Sequence, residues 1–193
     1  MRRTVLLVLC LAVVLVLPAT VAAQPDCLGQ TPTVVGTSGD DTLVGTPGND
    51  VILGLAGDDD IRGVGGEDRL CGGNGHDSVF GGDGQDRVSG GGGSDSASGG
   101  EGADRVLGKA GPDSVRGQDG NDFLQGGAGS DRVQGGRGSD TGFGGGKNDT
   151  VRGSPGRDFL LGGEGTDTTK GGPGIDLCVG ERQFSCENPP GDI

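Results

Sequence analysis

From Gly36 to Val179 the chain repeats every nine residues, sixteen times over, without one insertion or deletion. Position one is Gly in all sixteen repeats and position four is Gly in fifteen, Lys147 being the exception; position six is always Asp, and position eight is mostly Leu, Ile or Val. Glycine at fixed places marks backbone angles or close approaches that a side chain would forbid. A single apolar residue between polar ones reads as a very short strand with one inward side chain. The pattern predicts a six-residue turn followed by a three-residue strand, and because one such unit buries almost nothing, the units must stack.

The invariant acids are Asp41, Asp50, Asp59, Asp68, Asp77, Asp86, Asp95, Asp104, Asp113, Asp122, Asp131, Asp140, Asp149, Asp158, Asp167 and Asp176. A scaffold alone has no need of one acid so uniformly. The repeats Gly72-Gly73-Asn74-Gly75-His76-Asp77-Ser78-Val79-Phe80 and Gly99-Gly100-Glu101-Gly102-Ala103-Asp104-Arg105-Val106-Leu107 carry the pattern G-G-x-G-x-D-x-U-x. It resembles the nonapeptide of the haemolysin-type calcium-binding (RTX) family, over about three quarters of the chain. The resemblance implies an all-β fold, a right-handed parallel β-roll in which two nonapeptides make one turn of the solenoid. It also implies calcium between the loops of repeats two apart, held by Asp carboxylates and loop carbonyls. Carried over, this places Asp41, Asp59, Asp77, Asp95, Asp113, Asp131, Asp149 and Asp167 on one edge and the other eight on the opposite edge.

Electrostatics asks for a cation independently. Adjacent rungs of a parallel sheet lie roughly 4.8 Å apart, so stacked carboxylates repel by about 1 kcal/mol each in water and by several in a partly dry loop. A hard divalent ion with oxygen ligands removes that repulsion, and calcium accepts six or more such oxygens where magnesium holds to a strict octahedron. Eight rungs leave seven gaps in each ladder, so about fourteen ions is the geometric ceiling.

Composition agrees. Hydrophobic residues are 30% and aromatics 3%, with no Trp or Tyr, so the expected core is one narrow column of position-eight side chains. The formal net charge is -13, and -15 once Arg2 and Arg3 are removed, which disfavours nucleic acid and anionic membranes as partners. Arg2 and Arg3 precede the apolar run Val5 to Leu17, then Pro18 and Val21-Ala22-Ala23, which reads as a secretory leader over residues 1–23 and predicts a secreted, extracellular protein. An uncleaved membrane anchor is the other reading, and the run is short for one. Residues 24–35 are then an N-terminal cap and residues 180–193 a C-terminal cap and tail.

Without Cys10 of the leader, four cysteines remain, an even number in an oxidising compartment. Of the three possible pairings, Cys27 with Cys71 and Cys178 with Cys186 is favoured, because solenoid ends expose rungs that need capping. Free thiols or a zinc site are the alternatives, and no two of the four have C-x-x-C spacing.

Catalytic constellations are missing from the sequence. His76 is the one histidine and sits at a variable turn position, which leaves no histidine pair for acid and base work and no two-histidine zinc motif. No G-x-S-x-G elbow occurs, and a periodic ladder of acids is the signature of metal sites rather than of two carboxyls with split pKa values. The chain is therefore read as no enzyme, an extracellular calcium-binding module; an adhesin or polysaccharide-binding protein built on the roll is the alternative, and an enzyme with an embedded site the remotest reading.

Departures from the pattern mark weak rungs. Lys147 adds a positive charge to the loop before Asp149, which puts that site in doubt, and Ala97, Gly142, Thr169 and Cys178 thin the core column. The outward strand positions seven and nine of the even-numbered repeats are unexpectedly apolar. Among them Phe123, Phe143, Phe159, Leu161, Leu177 and Val179 predict a flat patch for a second copy, a cell-surface polysaccharide or a protein, with drift on tolerant surface positions as the plain alternative.

Overall fold

The computed structural model describes residues 27–179 and 184–185, and among them every regular element is a strand. The leader at 1–23 and Cys186 lie outside the described residues. Each repeat adds one strand, and successive strands alternate between two parallel sheets of nine strands each, so that a strand pairs with the one two repeats on. This is a β-roll, with even-numbered repeats in one sheet and odd-numbered repeats in the other.

The expected three-residue strand is too short. Interior strands run six residues, for example Arg69–Asn74 and Ser78–Asp83, from position seven through position three of the next repeat. The pairing explains how: Val79 faces Ala97 and Phe80 faces Ser98, then the ladder passes over the position-one glycine and resumes at Gly82 and Gly100. That glycine bends the chain without ending its strand, which leaves only positions four to six as turn. Where position three is proline the strand does stop after three residues. Thr42–Val44, Thr150–Arg152 and Thr168–Lys170 precede Pro47, Pro155 and Pro173, whose nitrogen has no proton to donate to the ladder.

Position eight points inward from both sheets. Ile52, Leu70, Val88, Val106, Leu124 and Leu160 meet Ile61, Val79, Ala97, Val115, Val133 and Val151 in one column, all fully buried. Thr169 is buried in the same column. Gly142 leaves less of a hole than its sequence suggests. A Cβ there would lie 3.1 Å from Val151 Cγ1 and 3.2 Å from Leu160 Cδ2, so the neighbours have already closed over it.

The first turns carry a cap of their own. Cys27 and Cys71 are joined by a disulfide, and Cys27, Val51 and Leu53 are buried together with Leu28 and Leu55 against them. Two of the apolar outward residues of the even face, Val51 and Leu53, are therefore covered by the chain itself. Thr33 holds the same edge, its hydroxyl and amide both reaching Val51. At the other end Cys178 is disulfide-bonded, while Cys186, the partner expected for it, lies outside the described residues. Among the described residues no helix is long and apolar enough to cross a membrane.

Candidate metal centre

The sixteen aspartates stand on the two edges in the order their spacing predicts, and from Asp50 through Asp167 every one is buried. From Asp59 onward each carboxylate behaves alike. Its Oδ1 accepts the backbone N–H of the aspartate one turn earlier, at 2.8 to 3.0 Å in fourteen successive bonds. Its Oδ2 has no hydrogen-bond donor at all, although it is buried. Fourteen consecutive carboxylates are thus half satisfied, a state that costs free energy unless something positive takes the second oxygen.

Side chains do not supply that charge. Among the described residues the ion pairs are Arg62 with Asp60 and Arg137 with Asp119, all four solvent-exposed and none in the ladders. Arg69, Arg87 and Arg105 stack in register beside Asp68, Asp86 and Asp104, but on the outward strand position, while the carboxylates turn inward.

Burial, more than repulsion between neighbours, governs the acids. It is the largest cause pushing Asp104 up to about 7 and Asp77, Asp86, Asp113, Asp140, Asp149 and Asp158 up to about 6; the hydrogen bond from the preceding turn opposes it, and a neighbouring ladder carboxylate adds a smaller upward push. Asp59, Asp68, Asp95, Asp122 and Asp131 are raised for the same first reason. Repulsion between ladder carboxylates has the sign the sequence implies and is smaller than both burial and the opposing hydrogen bond.

The oxygens around the ladders are of one chemical kind. Each Oδ2 lies against the bare Cα of the position-one glycine of its own repeat, and in loops such as those of Asp113, Asp131 and Asp149 a carbonyl oxygen of the next turn, from Gly126, Gly144 and Gly162, reaches the same spot. A methyl group there would fill it. Among the described residues no three His, Cys, Asp or Glu side chains converge, so an ion between rungs would complete its shell with backbone carbonyls. All-oxygen surroundings of carboxylate and carbonyl suit a hard cation of flexible coordination, and the residues present fit calcium.

Two details of the ladders go beyond the sequence pattern. The Lys147 ammonium lowers the Asp131 carboxyl, one turn below; the stacking bond there, from Gly129 N–H to the Gly146 carbonyl, is 3.3 Å against 2.7 to 3.1 Å in the equivalent loops. Asp41 and Asp50 also differ from the other fourteen, because their Oδ2 atoms do have donors, the amide and hydroxyl of Thr37 and of Thr46. His76 is a stacking residue of the turns. Its Nδ1 accepts the Ser94 N–H at 3.0 Å, in line with Asp40, Asn49, Asp58, Asn121 and Asn148, which do the same for the turns above them.

On the even face Phe123 and Phe143 have ring centroids 5.4 Å apart, Phe143 and Phe159 6.1 Å, and the Arg105 guanidinium lies 4.6 Å over Phe123. Leu161 lines the same shallow groove of about 430 Å³ as Phe123 and Phe143, and Phe159, Leu177 and Val179 are exposed beyond it. The six residues singled out from the sequence are brought onto one face.

A family model of the RTX calcium-binding nonapeptide repeat, built of four copies, matches residues 35–70, 62–97, 71–106, 98–133, 107–142 and 143–178. No curated protein matches the chain.

Proposed function

Because the chain belongs to the RTX calcium-binding nonapeptide-repeat family, we propose that it is a secreted, non-enzymatic β-roll that folds on calcium outside the cell and serves there as a structural or interaction module. One observation carries the calcium part: fourteen buried Oδ2 atoms in two straight ladders have no donor. The sixteen position-six aspartates are the ligand candidates, and the gaps between rungs allow about fourteen ions at most. With the apolar column only one residue wide, the metal-free chain at neutral pH lacks cohesion and calcium supplies it. Circular dichroism and sedimentation of the full mature chain test this. Calcium should convert an expanded, weakly structured chain into a compact β-rich one, and a roll fully formed in excess chelator, unchanged by calcium, would sink the reading.

The interaction surface on this reading is the even face at Phe123, Phe143, Phe159, Leu161, Leu177 and Val179, open to a second copy or to a protein partner. Burying its rings fully is worth roughly 1.5 to 3 kcal/mol each. A second reading keeps the roll and changes its occupant. Arg116, Arg132 and Arg152 are exposed, have no ion pair among the described residues, and line one groove of the odd face with Ser114, Gln134 and Thr150. Guanidiniums alternating with hydroxyl and amide groups favour an acidic cell-surface polysaccharide. Binding that survives loss of the Phe face and fails without these arginines separates the second reading from the first.

A further inference from the structure

Two of the sixteen loops are wired differently. In the first, the Thr37 amide donates to Asp41 Oδ2 at 2.6 Å and the Thr37 hydroxyl to the same oxygen at 2.9 Å. In the second, Thr46 does the same for Asp50 at 2.6 and 2.8 Å. Each hydroxyl also accepts a turn amide, from Gly39 and Gly48, at 3.2 Å. Each hydroxyl thus both donates its one proton to a carboxylate and accepts one from the backbone. In the fourteen later repeats the same oxygen has no donor.

The difference is set at position two of the repeat. There the fourteen later repeats have positive φ, from Leu55 at 88° and Val64 at 91° to Gly163 at 114° and Gly172 at 111°, whereas Thr37 and Thr46 are outside that region. With positive φ the position-two amide turns away from its own carboxylate and bonds the next turn instead, as Gly136 does to the Gly153 carbonyl and Ser154 to the Gly171 carbonyl. Threonine, outside that region at both places, differs from the β-branched Val64 at φ 91° in carrying a hydroxyl. It keeps the amide aimed at the carboxylate and adds the hydroxyl as a second donor.

We infer that Thr37 and Thr46 replace metal ions in the first turn, making it a calcium-independent template on which the calcium-dependent rungs stack. An ion between Asp41 and Asp59, or between Asp50 and Asp68, would have to break two donors from Asp41 or Asp50. The first gap of each ladder is therefore left without metal, and fourteen gaps become twelve sites. Other metal-free cohesion gathers at the same end. The Cys27–Cys71 disulfide ties the cap to the fourth repeat, Thr33 closes the first edge, and Ile52, Ile61 and Leu70 fill the column behind it.

Hydrogen exchange on the full, disulfide-intact mature chain in excess chelator tests the template directly. Amides of residues 34–65 should exchange more slowly than those of residues 96–170 by roughly tenfold or more, the scale of one or two hydrogen bonds to a charged group. Thr37→Val with Thr46→Val, which keep the β-branch and remove the hydroxyls, should erase that difference in chelator while the variant still folds in calcium. Uniform exchange in the wild type, or protection untouched in the variant, overturns the inference; if the variant fails to fold even in calcium, the wild-type profile decides alone. Native mass spectrometry supplies a second arm, which rests on the calcium reading. Thr37→Gly with Thr46→Gly should raise the maximum calcium count by two. Equal counts with metal bound refute the template but leave the calcium function standing, whereas no bound calcium in any form refutes that function and leaves the exchange arm to judge the template.

Discussion

Lys147 stands two residues before Asp149 in the chain and acts on Asp131 in the fold. Burial raises the Asp131 carboxyl, while the hydrogen bond from Asp113 and then the Lys147 ammonium lower it. In a solenoid a loop residue also lies beside the loops of the turns above and below, so a charge read from the chain as belonging to Asp149 reaches Asp131 as well. Lys147 also occupies a glycine position at φ 78°, which is costly for a residue with a Cβ. Lys147→Gly should remove both the charge and the strain and tighten calcium in the Asp131–Asp149 gap. A charge acting near the surface is worth about 1 kcal/mol, or up to about fivefold in affinity. Calorimetric titration of the variant beside the wild type decides it, and unchanged or weaker binding would show that Lys147 plays no part in that gap. The threonines were legible as residues but not as caps. What Thr37 and Thr46 do at position two is hidden in the sequence, because the sign of φ there is invisible until the loop is built.

At the scale of the strand, the nine-residue period foretold which side chain points inward but not how long the strand is. Position-one glycine looks like the end of a strand in any one repeat, and only the pairing across turns, which passes from Phe80 and Ser98 to Gly82 and Gly100, shows that it is a bend. Proline told more than glycine, since Pro47, Pro155 and Pro173 are where strands do stop. The core column gave the opposite lesson. Gly142 reads as a gap to be filled, yet Val151 Cγ1 and Leu160 Cδ2 stand 3.1 and 3.2 Å from where its Cβ would be, with Val133 Cγ1 at 3.5 Å. Gly142→Val, which would restore the consensus, should instead overpack the column and destabilise the calcium-loaded roll by about 1 to 3 kcal/mol. Urea denaturation in saturating calcium measures it. A variant more stable than the wild type would mean that the neighbours retreat at little cost and the column has room.

For the molecule as a whole, an unbroken period was enough to read the two-sheet roll and both ladders, while the balance of forces on the acids needed the fold, because burial depends on how tightly the turns close. That balance fixes the response to pH. In the metal-free roll burial pushes Asp104 up from the ordinary Asp value of 3.8 to about 7 and Asp77, Asp86, Asp113, Asp140, Asp149 and Asp158 to about 6. Between those values the folded state binds more protons than the unfolded one, so the stability of the metal-free roll falls as pH rises. The destabilisation is absent below about 4 and fully present above about 7. Calcium reverses the dependence, since it competes with protons for the same Oδ2 atoms. Eight divalent ions carry 16 positive charges, more than the formal -15 that remains without Arg2 and Arg3, so the loaded roll also sheds its net repulsion. In chelator, lowering the pH from 7.5 to 5 should therefore increase β-structure, whereas the calcium concentration needed for half-folding should rise over the same interval. Circular dichroism at a series of pH values, with chelator and with graded calcium, reads both. A metal-free chain that loses structure on acidification, or a calcium midpoint indifferent to pH between 5 and 7.5, would show that the buried carboxyls do not hold the protons their burial demands.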